Sequence, residues 1–563
     1  MEMAGAQILM EGFLREGVER IFGYAGATIC PIMDALMATP RISYTLVRTE
    51  QNAGHMASGY ARVTGKTGVC IVTSGPGATN LITGIATAYM DSIPLVAVTG
   101  QVPSGLLGRD IFQEVDITGA VTPFIKHCYL VKDAARLPQI ISEAFYIASS
   151  GRPGPVLIDI PIDIQEQMVQ DPVFPDSVSI RGYNPSVRGN DKQIMRVAEA
   201  ISQAERPVIC AGGVFLAGAE EELRELVSRT GIPSVTTMMG LSLFPTEHPL
   251  NMGMIGTHGN QCANKALAKA DLLIMIGTRA ADRAIFSPDE IQRRMPNIHI
   301  DVDPAEIGKN MSSTVPLVGD VKIILRQLLE RDIAVECEPW RTQLQAFRRE
   351  ELSREFPSHP GYVFPGRLLR LLGQRLKEDA AVCVDVGQNQ IFACKHLVLR
   401  GGRLLTSGGL GTMGYALPAA IGVQTAQPDR QVVVVCGDGS FQMAMNELAT
   451  LRASRLSIKI VLIRNGVLGL VNQSQRKPPY HGSFGVALTG DPDFAAIAGA
   501  YGIPTIHVAE EAEVEGALER FLAEEGSCLL IAEADPEWKN RTEKNGSAAG
   551  NASYICLWND AGK

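Results

Sequence analysis

The chain has 563 residues, 46% of them hydrophobic and 20% charged, and a formal net charge of −9 at pH 7. This acidic balance, without a stripe of basic and aromatic residues, argues against a nucleic-acid partner, and no run reaches the ~18 apolar residues of a membrane span. The 11 cysteines lack paired metal-ligand spacing and are typical of reduced thiols, so we expect a soluble cytoplasmic protein.

Apolar strand patterns alternate with helical patterns along the chain. The first segment, MEMAGAQILMEGFLREGVERIFGY, predicts an acidic amphipathic helix that leads into a strand, not an export signal. The predicted strands that follow are GVCIVTS, IPLVAVTG, GPVLIDIP, RPVICAGG, ADLLIMIG, NIHIDVD, AAVCVDVG, QVVVVCGD and IKIVLIRNG. Such alternation is typical of doubly wound parallel sheets, so the predicted fold class is α/β.

Two stretches rich in proline and polar residues interrupt this alternation, at 171–190 and 336–365. We therefore predict three doubly wound domains, at residues 1–175, 188–335 and 361–540, and a divergent tail at 541–563. The outer two domains share one plan: a helix of small residues, a polar turn, an apolar strand, and a glycine turn that opens another helix. A chain with two such halves could use one for each end of a long cofactor.

Two glycine motifs suggest nucleotide binding. Residues 59–66, GYARVTGK, have one residue too many for a phosphate-binding P-loop and precede a strand instead of following one. Residues 409–414, GLGTMG, match the dinucleotide fingerprint after the predicted strand RLLTS, and Asp438 lies near the position of its ribose-binding acid. A Rossmann-type NAD or FAD dehydrogenase is therefore an alternative function, although it leaves Ser440 and the sequence RNGVLG without a role.

Asp438 directly follows a strand that is predicted to be buried. Its carboxylate could cap the next helix, for which FQMAMNELATL has helical spacing. Asn465 follows the next apolar strand, so its amide is predicted to lie at the same edge of the sheet. A carboxylate, an amide oxygen and a loop carbonyl at two neighbouring strand ends suit Mg²⁺ that carries a diphosphate. Capping and metal binding do not exclude each other, and both interpretations stay open.

The sequence GDG at 437–439, followed by Asn465 after the next strand, resembles the recurring motif of the thiamin diphosphate enzymes. Longer stretches are similar to the acetolactate synthase large (catalytic) subunit family, and the resemblance runs from about residue 5 to about residue 535. The stretches are SGPGATNLITGIATAYMDSIPLVAVTGQVPSGLLGRDIFQEVDI, ASSGRPGPVLIDIPIDI, TSGGLGTMGYALPAAIG and GDGSFQMAMNELATL. The resemblance implies a pyrimidine-binding domain, a central FAD-binding-like domain and a diphosphate-binding domain, in that order.

The resemblance also implies roles for individual residues. Asp438, Asn465 and the Val467 carbonyl are expected to hold Mg²⁺. Glu50 is expected to take part in proton transfer at the cofactor's pyrimidine ring, a kind of catalysis worth ~10²–10⁴ in rate. The other expected catalytic residues are Gln113 and Met413, of which Met413 is the hydrophobic wedge that bends the cofactor. The remaining residues expected around the diphosphate end are Gly387, Gln388, Asn389, Gly411, Gly437, Gly439, Ser440 and Gly469.

The middle segment resembles the family's FAD-binding domain in the stretches AGGV, GTRAADR and IDVDPAEIGK. Flavin there is generally structural, and a flavin-free structural domain is the alternative interpretation. The expected FAD contacts are Gly212, Gly213, Arg279 and Asp301. The expected substrate contacts are Phe112, Lys126, Arg283, Leu470 and Ser474.

The expected reaction decarboxylates a 2-oxo acid, with pyruvate as the leading candidate, and joins the two-carbon unit to a second 2-oxo acid. The product would be 2-acetolactate or a related acetohydroxy acid of branched-chain amino acid biosynthesis. Ser474 stands where the family has a tryptophan that narrows the acceptor pocket, and Ile162 where it has a lysine. Because such a loss can shift discrimination by ~1–3 kcal/mol, a different acceptor remains an alternative. Further departures are Ala25, Ala27, Thr49 and Arg464.

The family resemblance implies an oligomer, because one subunit supplies the glutamate and another supplies the metal site. A homodimer is therefore the expected minimum and a homotetramer the expected assembly. A regulatory small subunit is a further candidate partner, whereas nucleic acid and membrane are not expected.

Overall fold

The computed structural model describes residues 2–285 and 287–538. Three parallel sheets of six strands follow one another along the chain, which confirms the predicted α/β class with three parallel-sheet domains. Within the described residues, no helix has both the length and the apolarity needed to cross a membrane. The predicted tail at 541–563 lies outside these residues, as do the last two residues of the predicted third domain.

The first domain contains one six-stranded sheet and a short antiparallel pair. Its strands are β1 (Glu2–Ala4), β2 (Arg20–Tyr24), β3 (Ser43–Leu46), β4 (Gly68–Val72), β5 (Leu95–Gln101), β6 (His127–Leu130), β7 (Pro155–Pro161) and β8 (Met168–Gln170). Its helices are α1 (Gly5–Arg15), α2 (Cys30–Met37), α3 (Glu50–Thr64), α4 (Pro76–Asp91), α5 (Ile117–Val121), α6 (Leu137–Ser149) and α7 (Ile162–Glu166). The sheet order is β3-β2-β4-β5-β7-β6, and β1 pairs with β8. The inner strands are continuously apolar because helices cover both faces.

The central domain has the strand order of dinucleotide-binding folds. Its strands are β9 (Pro207–Ala211), β10 (Ser234–Thr236), β11 (Asn251–Met254), β12 (Leu272–Ile276), β13 (Asn297–Asp301) and β14 (Val315–Val318). The helices here are α8 (Asp191–Gln203), α9 (Glu220–Thr230), α10 (Gln261–Lys269), α11 (Pro288–Arg294), α12 (Val321–Leu329) and α13 (Glu338–Leu352). The order β11-β10-β9-β12-β13-β14 reverses direction between β9 and β12, the point at which such sheets bind ligands.

The third domain repeats the connectivity of the first. Its strands are β15 (Ala381–Val384), β16 (Arg403–Leu405), β17 (Val432–Gly437), β18 (Ile458–Arg464), β19 (Thr505–Val508) and β20 (Cys528–Glu533). Its helices are α14 (Pro365–Arg375), α15 (Gln388–His396), α16 (Ala416–Ala426), α17 (Asp438–Gln442), α18 (Leu448–Ala453), α19 (Gly469–Gln475), α20 (Phe494–Ala500) and α21 (Val514–Ala523). The order is β16-β15-β17-β18-β20-β19, so in both domains the second and fifth of the six strands form the edges.

Helices α3 and α16 pack the first domain directly against the third. Gly59 lies against the carbonyl oxygen of Ala419, and Gly422 against that of Met56, so closely that a Cβ atom at either glycine would overlap that oxygen. One hydrophobic cluster runs through both domains and includes Phe22 of β2. The small residues predicted for these two helices therefore allow the outer domains to share one core.

The stretch after Asp438 does not form the single helix that its spacing predicts. Helix α17 ends at Gln442, a 3₁₀ turn covers Met445–Glu447, and α18 begins at Leu448. The reason is tertiary, because Glu447 is fully buried and accepts hydrogen bonds from the first domain. The predicted continuous helix is therefore wrong.

Candidate active site

Asp438 lies at the carboxyl end of β17 and points across to the end of β18. Its Oδ2 accepts hydrogen bonds from the backbone N–H of Asn465 at 2.9 Å and of Gly466 at 2.6 Å, and its Oδ1 accepts one from Gly439 at 2.9 Å. The N-cap of α17 is Gly437, so Asp438 does not cap this helix in the predicted way. The two neighbouring strand ends therefore meet at Asp438.

The surroundings of Asp438 fit a cation. The side chain is 2% exposed, and burial raises its pKa, to which the charge of nearby Asp491 adds. Asp491 itself has a buried carboxylate oxygen without a hydrogen-bond donor. Because a buried acid and a half-buried acid close together are costly without positive charge, a divalent ion would stabilise them. In the described residues no three His, Cys, Asp or Glu side chains form a metal-binding cluster, so amide and carbonyl oxygens would have to complete the ligand set.

Asn465 connects this corner to the start of α15. Its Oδ1 accepts a hydrogen bond from Val467 N at 3.2 Å, and its Nδ2 donates to Gln388 Oε1 at 3.0 Å. The Gln388 side chain also lies where a Cβ atom of Gly469 would be. The predicted metal-binding and diphosphate-binding residues therefore lie together at one end of the third sheet.

The remaining predicted diphosphate-binding residues line the same end. Gly387 has a left-handed backbone with φ 150°, and a Cβ atom there would overlap Asn389 Oδ1. A Cβ atom on Gly437 would lie 3.2 Å from that oxygen, while the Ser440 hydroxyl donates back to the Gly437 carbonyl at 3.1 Å. Gly411 has φ 73°, and no atom lies within 4 Å of the position that its Cβ atom would occupy. At Gly387 and Gly437 the missing side chain therefore leaves room for Asn389, whereas the space beside Gly411 is open.

The loop at 409–414 brings Met413 to the corner formed by Asp438 and Asn465. Its Cε would lie 3.4 Å from a Cβ atom on Gly439. Asp91 of the first domain accepts a hydrogen bond from Gly409 N at 2.7 Å, and Asp385 accepts one from Gly414 N at 2.9 Å. These two buried acids hold both ends of the GLGTMG loop, and the sequence patterns do not single out either of them. The sequence shows only that one acid ends α4 and the other follows β15, and neither position by itself indicates a contact with the loop.

Glu50 and Gln113 both lie beside the glycine turn that opens α4. Glu50 Oε2 accepts a hydrogen bond from Asn80 Nδ2 at 3.0 Å, and its Oε1 would lie 3.4 Å from a Cβ atom on Gly77. Gln113 has φ +60°, and its backbone packs against Gly75. A left-handed backbone at a residue other than glycine is strained, and such strain clusters at functional sites. The structure therefore places two of the predicted catalytic residues at the same glycine turn, Glu50 beside Gly77 and Gln113 beside Gly75.

Several predicted substrate residues lie on the surface of the single chain. Phe112 is 85% exposed, and the Arg283 side chain, 79% exposed, has Asp282 as its acidic neighbour at 3.6 Å. Ser474 is exposed too, and its hydroxyl donates to the Leu470 carbonyl at 2.9 Å. One chain alone does not enclose these residues in a pocket.

Lys126 is committed to contacts within the first domain. Its ammonium donates to the Ser150 carbonyl at 2.7 Å, to the Ile147 carbonyl, and to the Tyr183 hydroxyl at 3.1 Å. Burial lowers its pKa to about 8. In this structure Lys126 therefore binds the end of α6 and does not face Glu50.

The predicted flavin residues gather where the central sheet reverses direction. Gly212 N donates to the Ile276 carbonyl at 3.0 Å, and Gly213 N donates to the Gly277 carbonyl at 2.7 Å. Asp301 ends β13, and burial raises its pKa to about 6. Arg279 follows β12, and burial lowers its pKa. This opposite pair at a switch point fits a polar ligand.

Comparison with known families agrees with this arrangement. Three family models match the chain, described as thiamine pyrophosphate enzyme, N-terminal TPP binding domain (residues 3–120), central domain (194–328) and C-terminal TPP binding domain (385–532). Thiamine pyrophosphate is another name for thiamin diphosphate. Fold and site therefore define a thiamin diphosphate-dependent enzyme.

Curated relatives narrow this class. An acetolactate synthase of Arthrospira platensis is 43% identical over 94% of this chain and 93% of its own length. The acetolactate synthase isozyme 3 large subunit of Escherichia coli (strain K12) is 41% identical over 94% of both chains, and a probable acetolactate synthase large subunit of Methanocaldococcus jannaschii is 41% identical over 95% and 92%. The chain belongs to the acetolactate synthase family of thiamin diphosphate enzymes.

The dehydrogenase alternative is wrong. The loop at 409–414 follows β16, which is an edge strand, whereas the dinucleotide fingerprint follows a central strand. Its loop brings Met413 to Gly439, and the backbone N–H groups of Gly409 and Gly414 donate hydrogen bonds to the two buried acids. The glycine motif therefore holds Met413 at the Asp438 end of the third sheet.

Proposed function

We propose that the protein decarboxylates pyruvate and joins the two-carbon unit to a second 2-oxo acid, giving 2-acetolactate or a related acetohydroxy acid. The observation that carries this proposal is the meeting of Asp438, Asn465 and Met413 at one end of the third sheet, in a chain of the acetolactate synthase family. Mg²⁺ is the metal proposed for Asp438, Asn465 and the Val467 carbonyl, because these are oxygen ligands.

Thiamin diphosphate, when bound, supplies the carbon nucleophile that attacks the keto group of the substrate. The glycines at 387, 437, 439 and 469, whose missing side chains let neighbouring residues pack closely at this end of the sheet, would contribute backbone contacts to its diphosphate. Glu50 would hold and move a proton at the pyrimidine ring nitrogen, and its half-buried position beside Asn80 suits that task. Gln113, held in a strained backbone next to Gly75, would orient the substrate.

A homodimer is the minimum assembly that we propose, with a homotetramer as the larger one. Large apolar side chains are exposed on both outer domains. Tyr24 and Leu46 lie near the turn that carries Glu50, and Leu410 and Met443 lie near the proposed metal site at Asp438 and Asn465. A second copy of the chain would cover these residues and enclose Phe112. Two relatives are named large subunits, so a small regulatory subunit is a further proposed partner.

We propose FAD as a structural cofactor of the central domain. The strand order and the close approach of Gly212 to Gly277 support a dinucleotide there. The visible flavin absorbance of the purified protein, lost on acid precipitation and recovered in the supernatant, tests this assignment. The ten cysteines of the described residues form no disulfide, which supports a cytoplasmic location.

The activity is tested by incubating the protein with pyruvate, Mg²⁺ and thiamin diphosphate and measuring CO₂ and acetolactate. We expect both products, and their loss when Mg²⁺ is chelated. CO₂ without acetolactate would show that the proposed acceptor is wrong. Because exposed Ser474 replaces a large aromatic side chain, a panel of 2-oxo acids and aldehydes with mass spectrometric detection then identifies the acceptor.

The shared active site is tested by mixing two inactive variants, Glu50→Gln and Asp438→Asn, after partial unfolding and reassembly. If each site takes Glu50 from one copy and Asp438 from the other, a mixed dimer contains one unaltered site. Random mixing then restores about a quarter of the wild-type activity. If each chain contains its own complete site, the mixture stays inactive.

A further inference from the structure

Glu447 connects the third domain to the turn that carries Glu50. Its Oε1 accepts hydrogen bonds from the backbone N–H of Arg48 and from Asn52 Nδ2, both at 2.8 Å. Its Oε2 accepts one from the Thr450 hydroxyl at 2.6 Å, and that hydroxyl also lies 3.2 Å from the Leu46 carbonyl. The partners in the first domain thus lie on both sides of Glu50 in the chain.

Burying the Glu447 carboxylate in this position costs folding free energy. Glu447 has 0% exposure, no lysine or arginine pairs with it among the described residues, and burial raises its pKa. Arg48 contributes its backbone N–H, while its guanidinium donates to the Val47 carbonyl. Hydrogen bonds from Thr450 in its own domain and from Asn52 and Arg48 on either side of Glu50, together with the charge of Arg48, offset part of this cost.

The placement of Glu447 in its own domain adds a second connection. Asp438, the proposed metal ligand, begins α17, and Glu447 ends the 3₁₀ turn that follows. Thr450, in α18, holds the other carboxylate oxygen. The segment that starts at Asp438 therefore ends on the Glu50 turn of the same chain. In the proposed dimer, where each site takes Glu50 from one copy and Asp438 from the other, Glu447 thus connects two neighbouring active sites.

We propose that Glu447 is a positioning residue that sets the position of Glu50 for proton transfer to the cofactor. This inference rests on the proposed function, since it gives Glu447 an effect only through Glu50. Glu447 itself does not touch the cofactor or the substrate. Its contribution is to hold Arg48 and Asn52, and with them the first turn of α3.

The test measures the rate of hydrogen–deuterium exchange at the C2 position of bound thiamin diphosphate, alongside kcat and KM. Glu447→Ala removes every acceptor and is expected to slow exchange and kcat by about 100-fold, the loss typical of a misplaced catalytic group, with little change in KM. Glu447→Gln keeps an oxygen toward Arg48 and Asn52, and its amide can donate to Thr450, so it is expected to retain most of the rate.

A double substitution shows whether Glu447 acts through Glu50. In a Glu50→Gln background, Glu447→Ala should cause no further slowing of exchange. The matched control is Gln427→Ala, which removes a 3.3 Å hydrogen bond between the same two domains, to the Val63 carbonyl at the far end of α3. This control should exchange at the wild-type rate. Asn52→Ala, which removes one donor and leaves Glu447 in place, provides the same test if Glu447→Ala does not fold.

The outcomes separate the two proposals. If Glu50→Gln slows exchange but the Glu447 and Asn52 variants do not, the positioning role is wrong and the proposed function stands. An equal loss in the Gln427→Ala control, or a full additional loss in the Glu50→Gln background, also refutes positioning and indicates general packing. If the Glu50→Gln variant shows the wild-type rate of hydrogen–deuterium exchange, the proposed role of Glu50 is wrong. The positioning role of Glu447, which acts only through Glu50, is then wrong as well.

Discussion

Asp159 makes the stability of the first domain depend on pH. It lies in β7, between β5 and the edge strand β6, and is 2% exposed. Thr99 donates a hydrogen bond to Oδ1 at 2.7 Å, and Gln101 donates one to Oδ2 at 3.1 Å. Burial outweighs these two bonds and raises the pKa of Asp159 to about 7. The folded protein therefore keeps a proton on Asp159 up to near-neutral pH.

The sign and size of the effect follow from this pKa. In the unfolded chain an aspartate ionises near pH ~3.9, so between about pH 4 and pH 7 the folded state binds more protons and its stability falls as the pH rises. A rise from 3.8 to about 7, at about 1.4 kcal/mol for each pH unit, corresponds to about 4 kcal/mol above pH 7. The cost is absent when the residue is permanently neutral.

The substitution Asp159→Asn removes the ionisation and keeps the shape. The new amide oxygen can accept from Gln101, and the amide nitrogen can donate to the Thr99 hydroxyl, which can reverse its role. Gln101 also donates to the Val115 carbonyl at 2.9 Å and accepts from Val102 N at 2.9 Å. Because these bonds hold both ends of the loop with Gln113, the variant should keep the loop in place.

The assay compares denaturant unfolding of wild type and Asp159→Asn at several pH values between about 5 and 8. We expect the variant to gain about 3 kcal/mol of stability relative to wild type between about pH 5 and pH 8, because about two of the three pH units of the shift fall within this range. Asp176→Asn, at an exposed aspartate, is the control and should show no such trend. A stability difference for Asp159→Asn that does not change with pH would refute the reasoning.

Three further predictions concern substitutions of glycine or by glycine. Gly59→Ala should destabilise the protein by about 1–3 kcal/mol and so lower its melting temperature, because the new Cβ atom would overlap the Ala419 carbonyl. The control Gly499→Ala, with open space around it, should leave the melting temperature unchanged. Gly469→Ala should displace Gln388 and weaken the thiamin diphosphate-induced rise in melting temperature, with unchanged binding as the contradicting result. Gln113→Gly should relieve strain and raise stability by about 1 kcal/mol while turnover falls; a variant with normal turnover would contradict its catalytic role.

The sequence patterns predicted the features that depend on local chemistry. Continuous apolar runs such as VVVVCG can be buried only inside a covered sheet, so three parallel sheets and their order along the chain could be inferred. The meeting of Asp438 and Asn465 was predictable for the same reason, since the ends of adjacent parallel strands share an edge. Met413 and the glycines around it could be placed only through the family resemblance.

Other features have no local signal because their partners are distant in the chain. Glu447 is bound by residues almost 400 positions earlier, with 399 between its number and that of Arg48. The helix break before α18 follows from that contact, so helical spacing alone predicted the wrong element. Asp91 reaches the GLGTMG loop in the same way, across 318 positions.

By itself, the sequence determined the most apolar strands of the three sheets, the neighbouring strand ends at which Asp438 and Asn465 lie, and the enzyme family to which the chain belongs. Only the tertiary structure decided how the Glu50 turn is held, because hydrogen bonds between domains depend on packing that no short stretch encodes. The same holds for the pKa of Asp159, since burial depends on which elements cover a strand. Local pattern selects the elements, and long-range packing sets the positions and charges of the side chains at the site.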